Sequence, residues 1–247
     1  MVDNTKPLGI MYMVFGARSS AAAQKSYESI REFHDIPAMA VGDHRVPGMK
    51  HVKWTGESPW AKDEPRGQSF YAGRVKPFLY NYSQFERTLY LDADTLILKP
   101  ILDGFDFLDD NDVVIADDGR LIKNLFKKSK QGPKWDWLRD QQAFTLKYLG
   151  GNERPDPPSI NTGVIFFRKS HGSESFMANW YEEWCRIPKW DEQMPFLRAE
   201  RNVEDSSVIK HIDARWNSNN RNYKDLIIYH YWGKQGARDL YDTDFEI

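Results

Sequence analysis

Residues 88–98 read Thr-Leu-Tyr-Leu-Asp-Ala-Asp-Thr-Leu-Ile-Leu, two short apolar runs with the acidic triplet Asp92-Ala93-Asp94 between them. Thr88 to Leu91 has the composition of a buried strand, and Leu96 to Leu98 resumes that character before Lys99-Pro100, so the stretch reads as strand, acidic turn, strand. In extended backbone, residues i and i+2 point the same way, which lets both carboxylates face one cation. Two hard oxygen ligands at a strand end suit Mg²⁺ or Mn²⁺, which keep open positions for phosphate oxygens. Unpaired carboxylates between buried strands are costly without a cation or donors, which favours a metal site over a solvated turn.

The sequence on both sides of this stretch alternates strand and helix patterns. Leu8 to Phe15 is apolar and closed by Gly16, Ser19 to Phe33 has helical spacing, and Pro37 to Val41 is apolar again. That order predicts a βαβ unit with parallel strands, and such sheets place ligands beyond their carboxyl ends. Phe15, Gly16 and Ala17 are therefore candidates to meet a nucleotide base and ribose, although a plain strand-to-helix turn reads equally well. Arg45 to Gly67 reads as loop with a short strand near 49–54, and Phe70 to Tyr82 as helix apart from Pro77. Val113 to Ala116 is a strand ending at Asp117-Asp118, and Ile160 to Phe167 is a strand interrupted by Gly163. Ser173 to Cys185 and Asp191 to Ala199 have helical spacing, and Leu226 to Tyr231 is the last strand-like run.

Composition sets bounds on this reading. The 247 residues suffice for one large α/β domain, 1–247, and are short for two; 40% apolar and 28% charged residues exclude disorder. A net charge of −2 supplies no global field for nucleic acid or an anionic membrane. The one cysteine, Cys185, excludes an internal disulfide and a multi-cysteine metal site. No apolar run approaches the roughly twenty residues of a membrane span, and the amino terminus is polar, so a cytoplasmic location is expected.

Arg74 to Leu98 resembles the retaining glycosyltransferases of family 8, the glycogenin-like group, from a basic residue through a helix to the Asp-x-Asp strand. Four further segments keep that family's order: Asn161-Thr162-Gly163-Val164, Asp191-Glu192-Gln193, Arg215-Trp216-Asn217, and His230-Tyr231-Trp232-Gly233. The resemblance implies a GT-A fold, with a mixed, mostly parallel sheet flanked by helices. It implies residues 1–99 as the nucleotide-binding half and 100–247 as the half that binds acceptor and completes the metal site. It also implies transfer of a sugar from a nucleotide-diphospho-sugar, UDP-linked, to a hydroxyl acceptor with retention, supported by Mn²⁺ or Mg²⁺. On this reading Asp92, Asp94 and His230 hold the metal, and Ala93 lies against the donor. Lys76 and Arg74 approach the diphosphate or leaving group, where positive charge offsets the developing negative charge. Asn161 hydrogen-bonds the sugar or acceptor, and Gly163 permits close backbone approach, a bulged strand being the plain alternative. Glu192 and Gln193 read sugar hydroxyls near the anomeric carbon, with Asp191 taking the acidic role if the register differs by one. Gly233 and Lys234 are further candidates for donor binding.

One departure stands out. The family places a lysine six residues after the histidine, followed by Pro-Trp, whereas this chain has Gly236 there; Lys234 or Arg238 is left to supply the charge. The stretch Arg120 to Lys134 carries six basic residues and no acid beside Trp135 and Trp137, a pattern that suits a phosphorylated, lipid-linked or nucleic-acid acceptor and equally a solvated basic helix. Two rival functions remain on sequence grounds. A sugar-nucleotide pyrophosphorylase needs a Gly-rich basic loop after the first strand, which Gly16-Ala17-Arg18-Ser19-Ser20 matches poorly, and a catalytically silent sugar-nucleotide binder would keep the fold alone.

Overall fold

The structure, a computed structural model, describes residues 8–55, 75–122, 133–150, 158–186, 192–205 and 207–231. Arg74, Asp191, Gly233, Lys234 and Arg238 lie outside the described residues, as do Lys123, Lys127, Lys128 and Lys130 of the basic stretch.

The opening βαβ unit forms as its pattern requires. Strand β1 (Leu8–Val14) leads through Gly16 into helix α1 (Ala17–Arg31), and β2 (Ala38–Gly42) pairs parallel to β1. Gly16 sits at φ 82°, a conformation that favours glycine. It has no side chain to cap the helix, and Asp43 serves instead, its Oδ1 accepting from Gly16 N at 2.8 Å. Beyond β2 lie β3 (Lys50–Lys53) and β4 (Arg87–Leu91), and then β5 (Thr95–Ile97), β6 (Val113–Leu121), β7 (Pro158–Arg168), β8 (Ile209–Ile212) and β9 (Ile228–His230). Seven of these form one sheet in the order β3-β2-β1-β4-β7-β6-β8, in which β7 alone runs against its neighbours. β5 and β9 form a separate antiparallel ribbon. The sheet is mixed and mostly parallel, as the GT-A expectation has it, and it runs through both halves of the chain.

Alternation along the strands feeds two cores. Ile10, Tyr12 and Val14 join Leu89, Leu91 and Phe166 on the side covered by α1, while Met11, Met13 and Phe15 join Tyr90, Ile165 and Phe167 on the opposite side. That second side is covered by α5 (His171–Arg186) and α6 (Gln193–Arg201), which contribute Phe176, Trp180 and Phe196. A fully buried ion pair ties these helices together. Arg198 Nε lies 3.0 Å from Glu183 Oε2, and Arg198 Nη1 donates to Thr145 of α4 (Pro133–Tyr148) at 2.8 Å. Removing one partner of such a buried pair costs roughly 3–5 kcal/mol.

Several elements differ from their expected extent. β6 does not stop at Ala116 but continues through Asp117-Asp118 to Leu121, because Asp117 still pairs with Ile160 and Leu121 with Pro158 on β7. β9 is shorter than the apolar run 226–231, covering only Ile228 to His230, the residues that pair with β5. In the described part of the expected helix 70–82, Pro77 confines the chain to a 3-10 turn (Lys76–Phe78) and one α-turn, α2 (Leu79–Tyr82). The short α3 (Asp103–Asp106) and strand β8 carried no clear sequence pattern. Among the described residues, no helix is long and apolar enough to cross a membrane.

Candidate active site

Where β4 ends at Leu91, the chain turns through Asp92-Ala93-Asp94 and leaves the main sheet as β5. Pairing of β5 with β9 sets Thr95 opposite His230, and Tyr231 N donates to Asp94 O at 2.8 Å. These contacts bring a residue 136 positions away onto the acidic turn. Ligand atoms of Asp92, Asp94 and His230 all lie within 4.8 Å of one another. His230 Nε2 is 3.1 Å from Asp94 Oδ1 and 3.7 Å from Asp92 Oδ2. Burial raises the Asp94 carboxyl, but the His230 ring when it carries both protons, a backbone N–H and the Lys76 ammonium together leave it below the ordinary carboxylate value.

Asp92 also belongs to a second cluster. Lys76, 3% exposed, places its Nζ 2.9 Å from the Asp92 carboxylate, 2.9 Å from Glu192 Oε1 and 3.3 Å from Thr162 Oγ1. Burial works against the ammonium, yet the carboxylates of Asp92 and Glu192 hold Lys76 above the ordinary lysine value. Thr162 Oγ1 donates to Glu192 Oε1 at 2.9 Å, Trp180 Nε1 donates to Glu192 O at 2.8 Å, and the Tyr90 hydroxyl donates to Asp92 Oδ1. The lysine expected beside a diphosphate is thus buried in the floor of the site, locking two carboxylates in place. Among the described residues, three carboxylates face one ammonium here, so with a neutral imidazole the corner carries two excess negative charges, which one divalent cation would balance. A set of two carboxylates and one imidazole fits Mn²⁺ or Mg²⁺.

Asn161, Thr162 and Gly163 lie in a bulge. β6 advances from Ile115 to Asp117 while β7 runs from Ile165 back to Ile160, so β7 carries extra residues at this point. The bulge re-aims its side chains. Thr162 turns to Lys76 and Glu192, whereas Asn161 and Gly163 meet His230 and its neighbours. A Cβ on Gly163 would lie 2.0 Å from His230 Cε1 and 2.6 Å from Nδ1. What approaches this glycine closely is therefore the imidazole ring, while Gly163 O accepts from Asp92 N at 2.8 Å.

Of the remaining expected residues, those that are described lie at or beside strand and helix ends. Phe15 is buried in a T-shaped contact with Trp54, ring centroids 6.3 Å apart, and Gly16 and Ala17 open α1 beside it. Ala93 packs against the core, and Gln193, partly exposed, begins α6 directly after Glu192. Sequence reasoning missed the roles of Thr162, Tyr90 and the hydroxyl chain behind the turn. In that chain Tyr12 meets Ser26 at 2.9 Å, Ser26 meets Thr95 at 2.8 Å, and Thr95 Oγ1 donates to Asp92 O at 2.9 Å. The available signal was strand alternation, which puts Tyr90 on the same side as Asp92.

The profile of the family described as nucleotide-diphospho-sugar transferase matches residues 87–219, more than half of the chain. Among solved structures, the galactosyltransferase LgtC in complex with donor and acceptor sugar analogs is similar at 13% identity and TM-score 0.57, over 91% of this chain and 87% of that one. Mouse xyloside xylosyltransferase 1 aligns at 12% identity and TM-score 0.52, over 91% and 97%. A glycosyltransferase involved in glycosylation of the major capsid of PBCV-1 aligns at 14% and 0.53, over 95% and 97%. At these identities the likeness is one of fold. No curated protein sequence matches the chain.

Proposed function

The chain belongs to the nucleotide-diphospho-sugar transferase family, which makes it a glycosyltransferase, and from that premise we propose a metal-dependent, retaining transfer from a UDP-sugar to a hydroxyl acceptor. The observation that carries the metal part is the convergence of Asp92, Asp94 and His230 within 4.8 Å at a corner where, among the described residues, three carboxylates face one lysine. Asp92, Asp94 and His230 hold Mn²⁺ or Mg²⁺, which when bound supplies Lewis-acid stabilisation of the donor diphosphate. Phe15, Gly16 and Ala17 line the nucleotide at the end of β1, with Ala93 beside it. Gly233, Lys234 and Arg74 meet the diphosphate.

Lys76 offsets negative charge from beneath the site and sets the carboxylates of Asp92 and Glu192. Glu192 and Gln193 read donor hydroxyls, with Asp191 the alternative acid. Asn161 has its Oδ1 engaged with Gly163 N at 2.8 Å, which leaves its Nδ2 to meet the sugar. In the transfer, the bond between the anomeric carbon and the diphosphate oxygen breaks and the acceptor oxygen bonds on the same face. The acceptor proton passes to the departing phosphate oxygen.

A screen of individual nucleotide sugars with Mn²⁺ or Mg²⁺, following nucleoside-diphosphate release, tests this reading. Metal-dependent release from one donor, absent in Asp92→Ala/Asp94→Ala, is the expected result. Release from no donor, with nucleotide binding intact, would leave a silent binder in its place.

A further inference from the structure

We infer that Asn217 is a positioning residue that decides which nitrogen of His230 faces the acidic corner, its own amide being oriented in turn by Asn161. The purpose of this arrangement, though not its geometry, rests on the metal reading above. The backbone carbonyl of Asn161 can only accept, and the Asn217 side-chain atom 2.8 Å from it must therefore be the amide nitrogen Nδ2. The same Nδ2 lies 3.2 Å from Asn161 Oδ1, itself fixed as oxygen because it accepts from Gly163 N at 2.8 Å. The other end of the Asn217 amide is then Oδ1, and it stands 2.8 Å from His230 Nδ1. An acceptor at that distance requires the hydrogen on Nδ1. Asn217 is 0% exposed, so water does not compete for either end.

In the neutral imidazole one nitrogen carries hydrogen and the other a lone pair. With hydrogen on Nδ1, the lone pair is on Nε2 and points at Asp94 and Asp92, 3.1 and 3.7 Å away. Acceptor against acceptor at such distances is unfavourable until a cation lies between them. The opposite amide orientation would put hydrogen on Nε2, where it would donate to Asp94 and close the corner by an internal hydrogen bond. Asn217 thus selects the histidine form able to ligate, as second-layer partners of metal-bound histidines generally do. Gly163 completes the arrangement by leaving space for the ring.

Long-range ¹H–¹⁵N spectra of the imidazoles at alkaline pH, without metal, read the tautomer directly. His230 should be the Nδ1–H form in the unaltered protein, and finding Nε2–H there overturns the inference without recourse to any variant. Asn217→Leu should shift the population toward Nε2–H and weaken Mn²⁺ binding, measured by calorimetry without nucleotide, about 10–100-fold. Asn161→Asp, which can still accept from both Gly163 N and Asn217 Nδ2, should keep the Nδ1–H form. A folded Asn217→Leu protein with unchanged tautomer would reduce Asn217 to a packing role and sink the inference. If the unaltered protein shows Nδ1–H yet binds no Mn²⁺, the metal reading fails and the tautomer assignment stands.

Discussion

Two histidines of this protein each have two acidic side chains within reach, and the acids are placed differently around the two rings. His211 on β8 faces Asp117 through Nδ1 and Glu200 through Nε2, the latter at 2.8 Å. Burial opposes its charge, but hydrogen bonds and carboxylates at both nitrogens raise its pKa to about 10. It is a fixed imidazolium that pins β8 to β6 and α6, with no lone pair to offer. His230 also has two carboxylates nearby, but both lie toward Nε2, and Nδ1 meets the neutral amide of Asn217. The number of acids around a histidine does not decide its role; the partner of the far nitrogen does.

The largest effect that separates the two corners is on turnover. Asp94→Asn should lower nucleoside-diphosphate release by about 100-fold or more, since it removes a ligand charge from the corner. Glu200→Gln, an equivalent change beside His211, should leave turnover within a few-fold; steady-state rates compare the two. Next comes Gly163→Ala, whose Cβ must displace the His230 ring. Mn²⁺ affinity should fall about 10-fold and stability by about 1–3 kcal/mol, read by calorimetry and by denaturant melts.

The His211 corner should declare itself through pH. Its folded pKa of about 10 lies above the ordinary 6.5, so its contribution to stability is complete below about pH 6.5 and is lost as pH rises through 10. Unfolding free energies of the unaltered protein minus those of His211→Gln should shrink across that window, and a flat difference would contradict the imidazolium. The smallest effect belongs to Ser26→Ala, which interrupts the hydroxyl chain behind Asp92. A loss of about 1–2 kcal/mol in a denaturant melt is expected from the unsatisfied Tyr12 hydroxyl, Thr95 keeping its bond to Asp92 O.

Much of this molecule was legible in the sequence where one local pattern determined one element. Leu8 to Val41 declared its βαβ unit, because hydrophobic period and a glycine turn act over a few residues. The Asp92/Asp94 pair was readable because alternation on a strand aligns i and i+2. His230 came only from the resemblance, since what joins it to the acidic turn is the pairing of β5 with β9, a tertiary event with no local trace. The burial of Lys76 was invisible for the same reason, as Glu192 reaches it from 116 positions away. Gly163 announces a close approach in the sequence, but the approaching group, the His230 ring, emerges only in the fold. β8, with sequence Ile-Lys-His-Ile, is held at the sheet edge by pairing to β6 and shows no pattern strong enough to announce a strand.

The most direct test of the central claim is a crystal structure grown with Mn²⁺ and a nucleoside diphosphate, recorded at a wavelength where manganese scatters anomalously. The account predicts one strong anomalous peak between Asp92, Asp94 and His230 Nε2, with diphosphate oxygens completing its coordination. A peak elsewhere, or nucleotide bound at this edge with no metal at that corner, would contradict it.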